Sequence, residues 1–118
     1  MSTPVGPYTP IVRAGTWLVC SGQLGLDPAT GELAGPDVES QAERSMTNLR
    51  NVLDAAGCTF ADVVKTTIFL ADIADFGAVN AIYGRFVSDP PPARSTVQVA
   101  ALPKGGRVEI EAIARLRS

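Results

Sequence analysis

Residues 107–116 alternate between apolar and charged side chains, and this pattern constrains the fold more than any other feature of the sequence. Successive side chains of a β-strand point to opposite faces, so the alternation predicts a strand with one face on the core and one face open. Such a strand needs a sheet around it and a second layer over its apolar face. The predicted core face carries Val108, Ile110, Ala112, Ala114 and Leu116, and the other face carries Arg107, Glu109, Glu111 and Arg115.

Two stretches with helical spacing can supply the covering layer. Apolar residues recur every three or four positions from Val38 to Ala56 and from Ile73 to about Val87, which predicts two amphipathic helices. Gly57 suits the C-terminal end of the first helix, and the three prolines at 90–92 stop the second.

Apolar and alternating runs predict four further strands. Residues 11–13 and 17–21 flank a turn at Gly15, residues 63–70 are rich in β-branched side chains, and residues 95–101 alternate. The element order is therefore ββαβαββ. We expect a single domain over residues 1–118 with an α+β fold, a two-layer sandwich with both helices on one face of the sheet.

The other face of this sheet is predicted to be partly apolar. Ile113 interrupts the charged side of the last strand, and Thr66 or Ile68 of the central strand could add to this face. A partly apolar sheet face usually marks a subunit contact, and symmetric self-association is the commonest solution. We therefore expect an oligomer.

The composition excludes several kinds of chemistry. None of the 118 residues is histidine, so Ser-His-Asp triads, Cys-His pairs and the commonest zinc ligand are absent. The net charge of −2 and the lack of a basic run argue against a nucleic-acid partner. Because neither a metal-ligand cluster nor a phosphate-binding glycine loop occurs, we expect no metal and no cofactor.

The sequence also predicts a location. Residues 1–7 lack the cationic start and apolar stretch of a secretory leader, and no window approaches the roughly 18 apolar residues of a membrane span. The two cysteines, Cys20 and Cys58, fit reduced structural thiols. We expect a cytoplasmic protein with no membrane partner.

Arg94 is the first candidate for chemistry, because it follows the rigid proline run and opens a strand. A guanidinium group matches a carboxylate in bidentate geometry, which suits a substrate carboxylate. A surface ion pair is the alternative, and position alone leaves both open.

Glu109 and Glu111 share one face of the last strand, as either an acid–base pair or a solvated edge. If residues 94–102 and 107–116 formed a hairpin, Glu109 would lie roughly 20 Å from Arg94. The two residues could then share a site only across a subunit boundary, or if the connection is not a hairpin.

Ser21 and Tyr8 are weaker candidates. Ser21 lies in Ser21-Gly22-Gln23, without the Gly-x-Ser-x-Gly context or a histidine, so it is expected to be a hydrogen-bonding group rather than a nucleophile. Tyr8 lies outside every periodic stretch, which suits a hydroxyl donor in a pocket or a lid on the sheet.

Taken together and in order, these segments resemble the RidA/YjgF family of reactive-intermediate deaminases. The matching segments run over nearly the whole chain: Gly6-Pro7-Tyr8, Ser21-Gly22-Gln23, Leu26-Asp27-Pro28, Thr30-Gly31-Glu32, Gln41, Asn48-Leu49, Val52-Leu53, Ala56-Gly57, Val63-Val64-Lys65-Thr66-Thr67, Asp75-Phe76, Val79-Asn80, Tyr83, Pro92-Ala93-Arg94-Ser95, Leu102-Pro103 and residues 108–114.

The resemblance implies a chorismate-mutase-like fold and a homotrimer with three clefts between subunits. It implies hydrolysis of 2-iminobutanoate and 2-iminopropanoate, which arise from 2-aminoacrylate-type enamines, to 2-keto acids and ammonia. On this likeness the carboxylate-binding arginine is Arg94, the acidic residue is Glu109 rather than Glu111, and Tyr8 completes the catalytic set. Ser21, Asn80 and Thr96 are the expected further substrate-binding residues.

Two departures from the family pattern bear on function. The connector before Arg94 is shorter than in typical active members, with Pro91 where an aromatic residue often precedes Pro-Ala-Arg, and Thr96 stands where some members carry cysteine. The first departure concerns substrate size and the second concerns redox behaviour.

Two alternative functions remain open. One is a non-catalytic carboxylate-binding or scaffold protein on the same trimer, and the other is a deaminase for another imine or enamine.

Overall fold

The computed structural model describes Pro4 and residues 6–117, and it has the predicted element order ββαβαββ. Both helices pack on one face of a single five-stranded sheet, which confirms the α+β sandwich. The elements are β1 (Ile11–Ala14), β2 (Trp17–Leu24), α1 (Val38–Ala55), β3 (Val63–Leu70), α2 (Phe76–Tyr83), β4 (Ala93–Gln98) and β5 (Val108–Arg115).

The strand order is β1-β2-β5-β3-β4, which excludes a hairpin between the last two strands. β5 lies between β2 and β3 and is antiparallel to both, whereas β4 is an edge strand parallel to β3. The β3–β4 connection runs through α2, as a crossover between parallel strands requires. Arg94 on β4 and Glu109 on β5 are therefore separated by β3.

The alternation in the last strand has the predicted effect. Val108, Ile110, Ala112 and Ala114 are buried, while Ile113 and Arg115 are exposed. The apolar stripe of α1 covers this buried face, with Met46, Leu49 and Leu53 fully enclosed.

The two helices end differently from one another. α1 begins where the Asp37 carboxylate accepts a hydrogen bond from the Ser40 backbone N–H, and it ends before Gly57, whose φ of 79° favours glycine. α2 ends at Tyr83 rather than near Val87 as predicted. Past Gly84 the chain turns toward the prolines, while Phe86 and Val87 still pack against the core and so preserve the helical spacing.

The uncovered face of the sheet carries a row of apolar side chains. Val12, Val19 and Ile113 are register partners on β1, β2 and β5, and their exposed fractions are 54%, 47% and 37%. Thr66 and Ile68 do not contribute to this face, because both are buried beneath the helices. In the described part of the chain, no helix is long and apolar enough to cross a bilayer.

Candidate active site

Three of the predicted site residues line one cleft on the open side of the sheet. We call it the carboxylate cleft; its volume is about 400 Å³, and it is lined by Tyr8, Ser21, Gly22, Gln23, Glu109 and Glu111. It therefore combines two acidic groups with two hydroxyls.

An irregularity in β2 shapes one wall of this cleft. The pairing of β2 with β5 shifts register between Cys20 and Gln23, and Ser21 lies in the shifted segment. The Ser21 hydroxyl donates a 2.6 Å hydrogen bond to the Thr9 carbonyl oxygen, and the Ser21 backbone N–H donates to the Pro10 carbonyl oxygen. Ser21 thus ties the segment that carries Tyr8 to the sheet, in agreement with its predicted hydrogen-bonding character.

Glu109 is half-buried against the backbone of Gly22. A Cβ atom at Gly22 would lie 2.8 Å from the Glu109 carboxyl carbon, so any larger residue at this position would displace the Glu109 side chain from where it lies. Burial, with a smaller contribution from the negative charge of Glu111, raises the pKa of the Glu109 carboxyl. Sequence reasoning assigned no role to Gly22, whose only signal is its position beside Ser21.

A buried polar stripe on α1 fixes the end of β2 and the segment that follows it. The Ser45 hydroxyl donates to the Gln23 carbonyl oxygen at 2.6 Å. The Asn48 amide donates to the carbonyl oxygens of Leu24 and Leu26 at 3.1 and 2.9 Å. Together with buried Gln41, these polar residues recur at helical spacing alongside the apolar stripe of α1, and that spacing is the signal by which the sequence could have identified them.

Arg94 and Asn80 line a second cleft, which we call the arginine cleft. Its volume is about 500 Å³, and it lies between α2, the proline segment and β4. Pro91 and Asp89 form the wall on the side of the proline segment.

The Arg94 guanidinium is held by aromatic rings rather than by an acid. Its Cζ atom lies 5.1 Å from the centroid of the Tyr83 ring and 5.5 Å from that of Phe76. Within the described residues, no carboxylate oxygen lies within 4.0 Å of its nitrogens. The surface ion pair that the sequence left open is thus not formed with any of the described residues.

Thr96 lies two residues beyond Arg94 on the same face of β4. Its register partner is the buried Ile68, and among the described residues no group hydrogen-bonds the buried Thr96 hydroxyl oxygen. The strand face that carries Arg94 thus also carries a buried hydroxyl without a hydrogen-bond partner among the described residues.

One copy of the chain does not bring Arg94 and Glu109 together. The register partner of Arg94 on β3 is Thr66, which faces the helices, and the register partner of Glu109 on β3 is Phe69. Thr66 and Phe69 are three positions apart on one strand and therefore point to opposite faces of the sheet. Because register partners share a face, Arg94 lies on the helix face and Glu109 on the open face. The two clefts are therefore separate within a single chain.

Neither cysteine belongs to the site. Cys20 and Cys58 are both free and buried, as the sequence predicted. Burial, with a smaller contribution from Cys58, raises the pKa of the Cys20 thiol to about 11, so it is protonated at neutral pH. A protonated, enclosed thiol is a poor nucleophile.

This chain is similar in sequence and in structure to known proteins. Protein DfrA of Myxococcus xanthus is 54% identical over 112 residues, covering 93% of this chain and 86% of that protein. The 2-iminobutanoate/2-iminopropanoate deaminase of Capra hircus is 53% identical over 110 residues, covering 93% of this chain and 80% of that protein. The crystal structure of RidA from Psychrobacter sp. PAMC 21119 matches with a TM-score of 0.94 at 44% identity, covering 98% of this chain and 93% of that one.

The family model described as Endoribonuclease L-PSP matches residues 1–116. The chain therefore belongs to this family, which is the YjgF/RidA family that the sequence resembles.

Proposed function

We propose that this protein is a deaminase that hydrolyses 2-iminobutanoate and 2-iminopropanoate to the 2-keto acids and ammonia. One observation carries the proposal: Arg94 lines the arginine cleft and forms no ion pair with any described residue, Asp89 of the same cleft included, so its donors are available to a substrate carboxylate. Relatives about half identical over most of the chain, including the Capra hircus protein, are named for this activity.

Hydrolysis of such an imine needs one group that binds the carboxylate and one group that activates water, and it needs neither a metal nor a cofactor. Arg94 would hold the substrate carboxylate through two charge-assisted hydrogen bonds. Glu109 would take a proton from water as the water oxygen bonds to the imine carbon, and it would pass this proton to the imine nitrogen to give a carbinolamine. It would then take the proton of the carbinolamine hydroxyl and deliver it to nitrogen as the C–N bond breaks, so that the C=O bond forms and ammonia leaves. The raised pKa of Glu109 suits a group that must both accept and donate that proton.

The remaining site residues have supporting roles in this proposal. Tyr8 would close the carboxylate cleft over the substrate. Ser21 would hydrogen-bond to the substrate, and its bond to the Thr9 carbonyl oxygen fixes the segment that carries Tyr8. Asn80, which lines the arginine cleft, and Thr96, whose hydroxyl has no partner in the described chain, would contribute further hydrogen bonds to the substrate.

We propose that the complete site forms between subunits of a homotrimer. Arg94 and Glu109 face opposite sides of the sheet in one chain, so joining them requires a second copy. The exposed row of Val12, Val19 and Ile113 gives that copy an apolar surface to cover.

The description of the family names RNA cleavage, but the charges of this chain favour a small carboxylate. A phosphodiester would meet Glu109 and Glu111 in the carboxylate cleft, on a protein of net charge −2. We therefore propose that nucleic acid is not a partner. The free buried thiols support a cytoplasmic location within the same proposal.

A trapping assay tests the activity. An amino-acid oxidase generates the imine in the presence of semicarbazide, and we expect the protein to lower semicarbazone formation by competing for the imine. An unchanged rate with 2-iminobutanoate and 2-iminopropanoate would reject this deaminase. Keto-acid binding without turnover would then favour a carboxylate-binding protein, and turnover of another imine would favour the second alternative.

Glu109→Gln and Glu111→Gln form a matched pair for the mechanism. Both changes remove one negative charge from the same strand face, but Glu111 is displaced by about 7 Å along the strand. We expect imine turnover to fall about a hundred- to ten-thousandfold in Glu109→Gln, the range for general acid–base catalysis. Glu111→Gln should retain most activity. Equal losses in both variants would contradict the assignment to Glu109.

A further inference from the structure

The Arg94 guanidinium lies on the helix face of β4, next to two aromatic rings of α2. Phe76 and Tyr83 are seven residues apart and therefore lie on the same face of the helix, two turns from each other. Both ring centroids lie within 5.5 Å of the Arg94 Cζ atom. We call these two residues the aromatic pair.

The Tyr83 ring is fixed in place by a buried hydrogen bond. Its hydroxyl lies 2.7 Å from the Thr66 hydroxyl, and the two residues are only 5% and 0% exposed. Thr66 is also the register partner of Arg94 across the parallel β3–β4 pair. The residue beside Arg94 in the sheet thus anchors the ring that holds its guanidinium.

Aromatic rings and carboxylates use different parts of a guanidinium. A ring attracts the cation through its negative face, whereas a carboxylate takes the N–H donors in the guanidinium plane. An acidic partner would therefore fix Arg94 but occupy the donors that a substrate needs. Aromatic neighbours can fix the group and leave those donors free.

We propose that Phe76 and Tyr83 are positioning residues, which orient Arg94 for a ligand carboxylate without competing for its donors. The inference rests on the proposed role of Arg94 in binding that carboxylate. It concerns binding in the ground state and the transition state alike, because the carboxylate does not react. Loss of the pair should therefore raise KM and leave kcat nearly unchanged.

Phe76→Leu is the decisive variant, because Phe76 is 39% exposed and leucine retains an apolar side chain without the π face. We expect 2-ketobutanoate to bind about two- to thirtyfold more weakly to this variant, the range spanned by cation–π contacts from exposed to desolvated sites. Phe76→Tyr retains a ring and should restore the affinity. Binding of the neutral 2-ketobutanamide, measured alongside by calorimetry, should not change in either variant.

A double-variant comparison distinguishes positioning from simple contact with the ligand. In an Arg94→Ala background, Phe76→Leu should weaken 2-ketobutanoate binding no further, because its effect acts through the guanidinium. An equal loss in both backgrounds, or an equal loss for the neutral amide, would show that Phe76 is only a wall of the cleft. That result would overturn the proposal, as would unchanged affinity in Phe76→Leu.

A measurement without ligand or turnover separates this inference from the proposed function. The ¹⁵N–¹H signal of the Arg94 Nε–H group, assigned by its loss in Arg94→Lys, should show a ring-current shift in the wild type. This shift should shrink in Phe76→Leu and persist in Phe76→Tyr. If the shift changes in this way while the wild type hydrolyses no imine, the positioning role of the aromatic pair is supported and the deaminase activity is rejected. If imine is hydrolysed but the signal is the same in all three proteins, the deaminase activity is supported and the positioning role is rejected.

Discussion

At the scale of single residues, Gly22 leaves the space against which the Glu109 carboxyl packs. We expect Gly22→Ala to push the Glu109 side chain aside, because the new methyl group would lie under 3.0 Å from two of its carbon atoms. Imine turnover should fall at least tenfold with only a modest change in Tm. Gly77→Ala is the matched control, since a Cβ there meets no atom within 4 Å and alanine favours a helix. Wild-type turnover in Gly22→Ala would show that the position of Glu109 is not critical.

Glu109 also links activity to stability through its pKa. Its folded-state pKa is raised, so ionisation destabilises the folded protein as pH rises from the ordinary carboxyl value through the raised one. Glu109→Gln should therefore have a higher Tm than the wild type at pH 7. The difference should vanish at about pH 3, where the carboxyl is protonated in both folded and unfolded chains.

Thermal unfolding at several pH values checks this expectation. Glu111→Gln removes the smaller of the two causes of the raised pKa, so it should produce a smaller gain of the same sign. A lower Tm for Glu109→Gln at pH 7 would mean that the ionised carboxylate stabilises the fold. Such a result would contradict the expectation that burial makes the ionised Glu109 carboxylate destabilising.

At the scale of secondary-structure elements, α1 supports the carboxylate cleft as well as the core. Asn48→Ala would leave the carbonyl oxygens of Leu24 and Leu26 without their amide donor, at a cost of about 1–3 kcal/mol for each group left buried. We expect a clear fall in denaturation midpoint. Thr47→Ala, one position away, should change little, because the Thr47 hydroxyl only bonds back to Glu43 within the helix. Similar losses in both variants would indicate a general effect on the helix.

The sequence predicted the elements better than their arrangement. Periodicity identified α1 to within one residue of its end and assigned every buried side chain of β5, because it reports directly which faces meet the core. It could not show that β5 lies between β2 and β3, since strand neighbours depend on contacts between distant segments. The end of α2 was also missed, because Phe86 and Val87 keep the helical spacing after the helix has ended.

The candidate site was predicted as a set of residues but not as a geometry. Chemical type singled out Arg94 and Glu109, and the family resemblance added Asn80 and Thr96. The opposite facing of Arg94 and Glu109 depends on the β3–β5 register, which no local pattern encodes. Gly22 was overlooked for a related reason: its value lies in a contact with a residue 87 positions later.

At the scale of the whole molecule, the two clefts and the apolar row make one prediction about assembly. We expect light scattering at micromolar concentration to give about three times the 12.3 kDa chain mass. A monomer mass would contradict the trimer and leave Arg94 and Glu109 in separate clefts. The trimer alone, however, does not show that subunits share a site.

Mixing two inactive variants tests the shared site directly. Arg94→Ala chains keep Glu109, and Glu109→Gln chains keep Arg94, so a hybrid oligomer can join one intact half from each. With random mixing in equal amounts, half of the chains supply an intact Arg94 and half supply an intact Glu109. About a quarter of the shared sites then contain both residues, so about a quarter of wild-type turnover should return. Arg94→Ala mixed with the double variant Arg94→Ala/Glu109→Gln contains no intact arginine and should stay inactive. If native mass spectrometry shows hybrids but turnover does not return, each site lies within one chain, and the opposite facing of Arg94 and Glu109 in the sheet must change before catalysis.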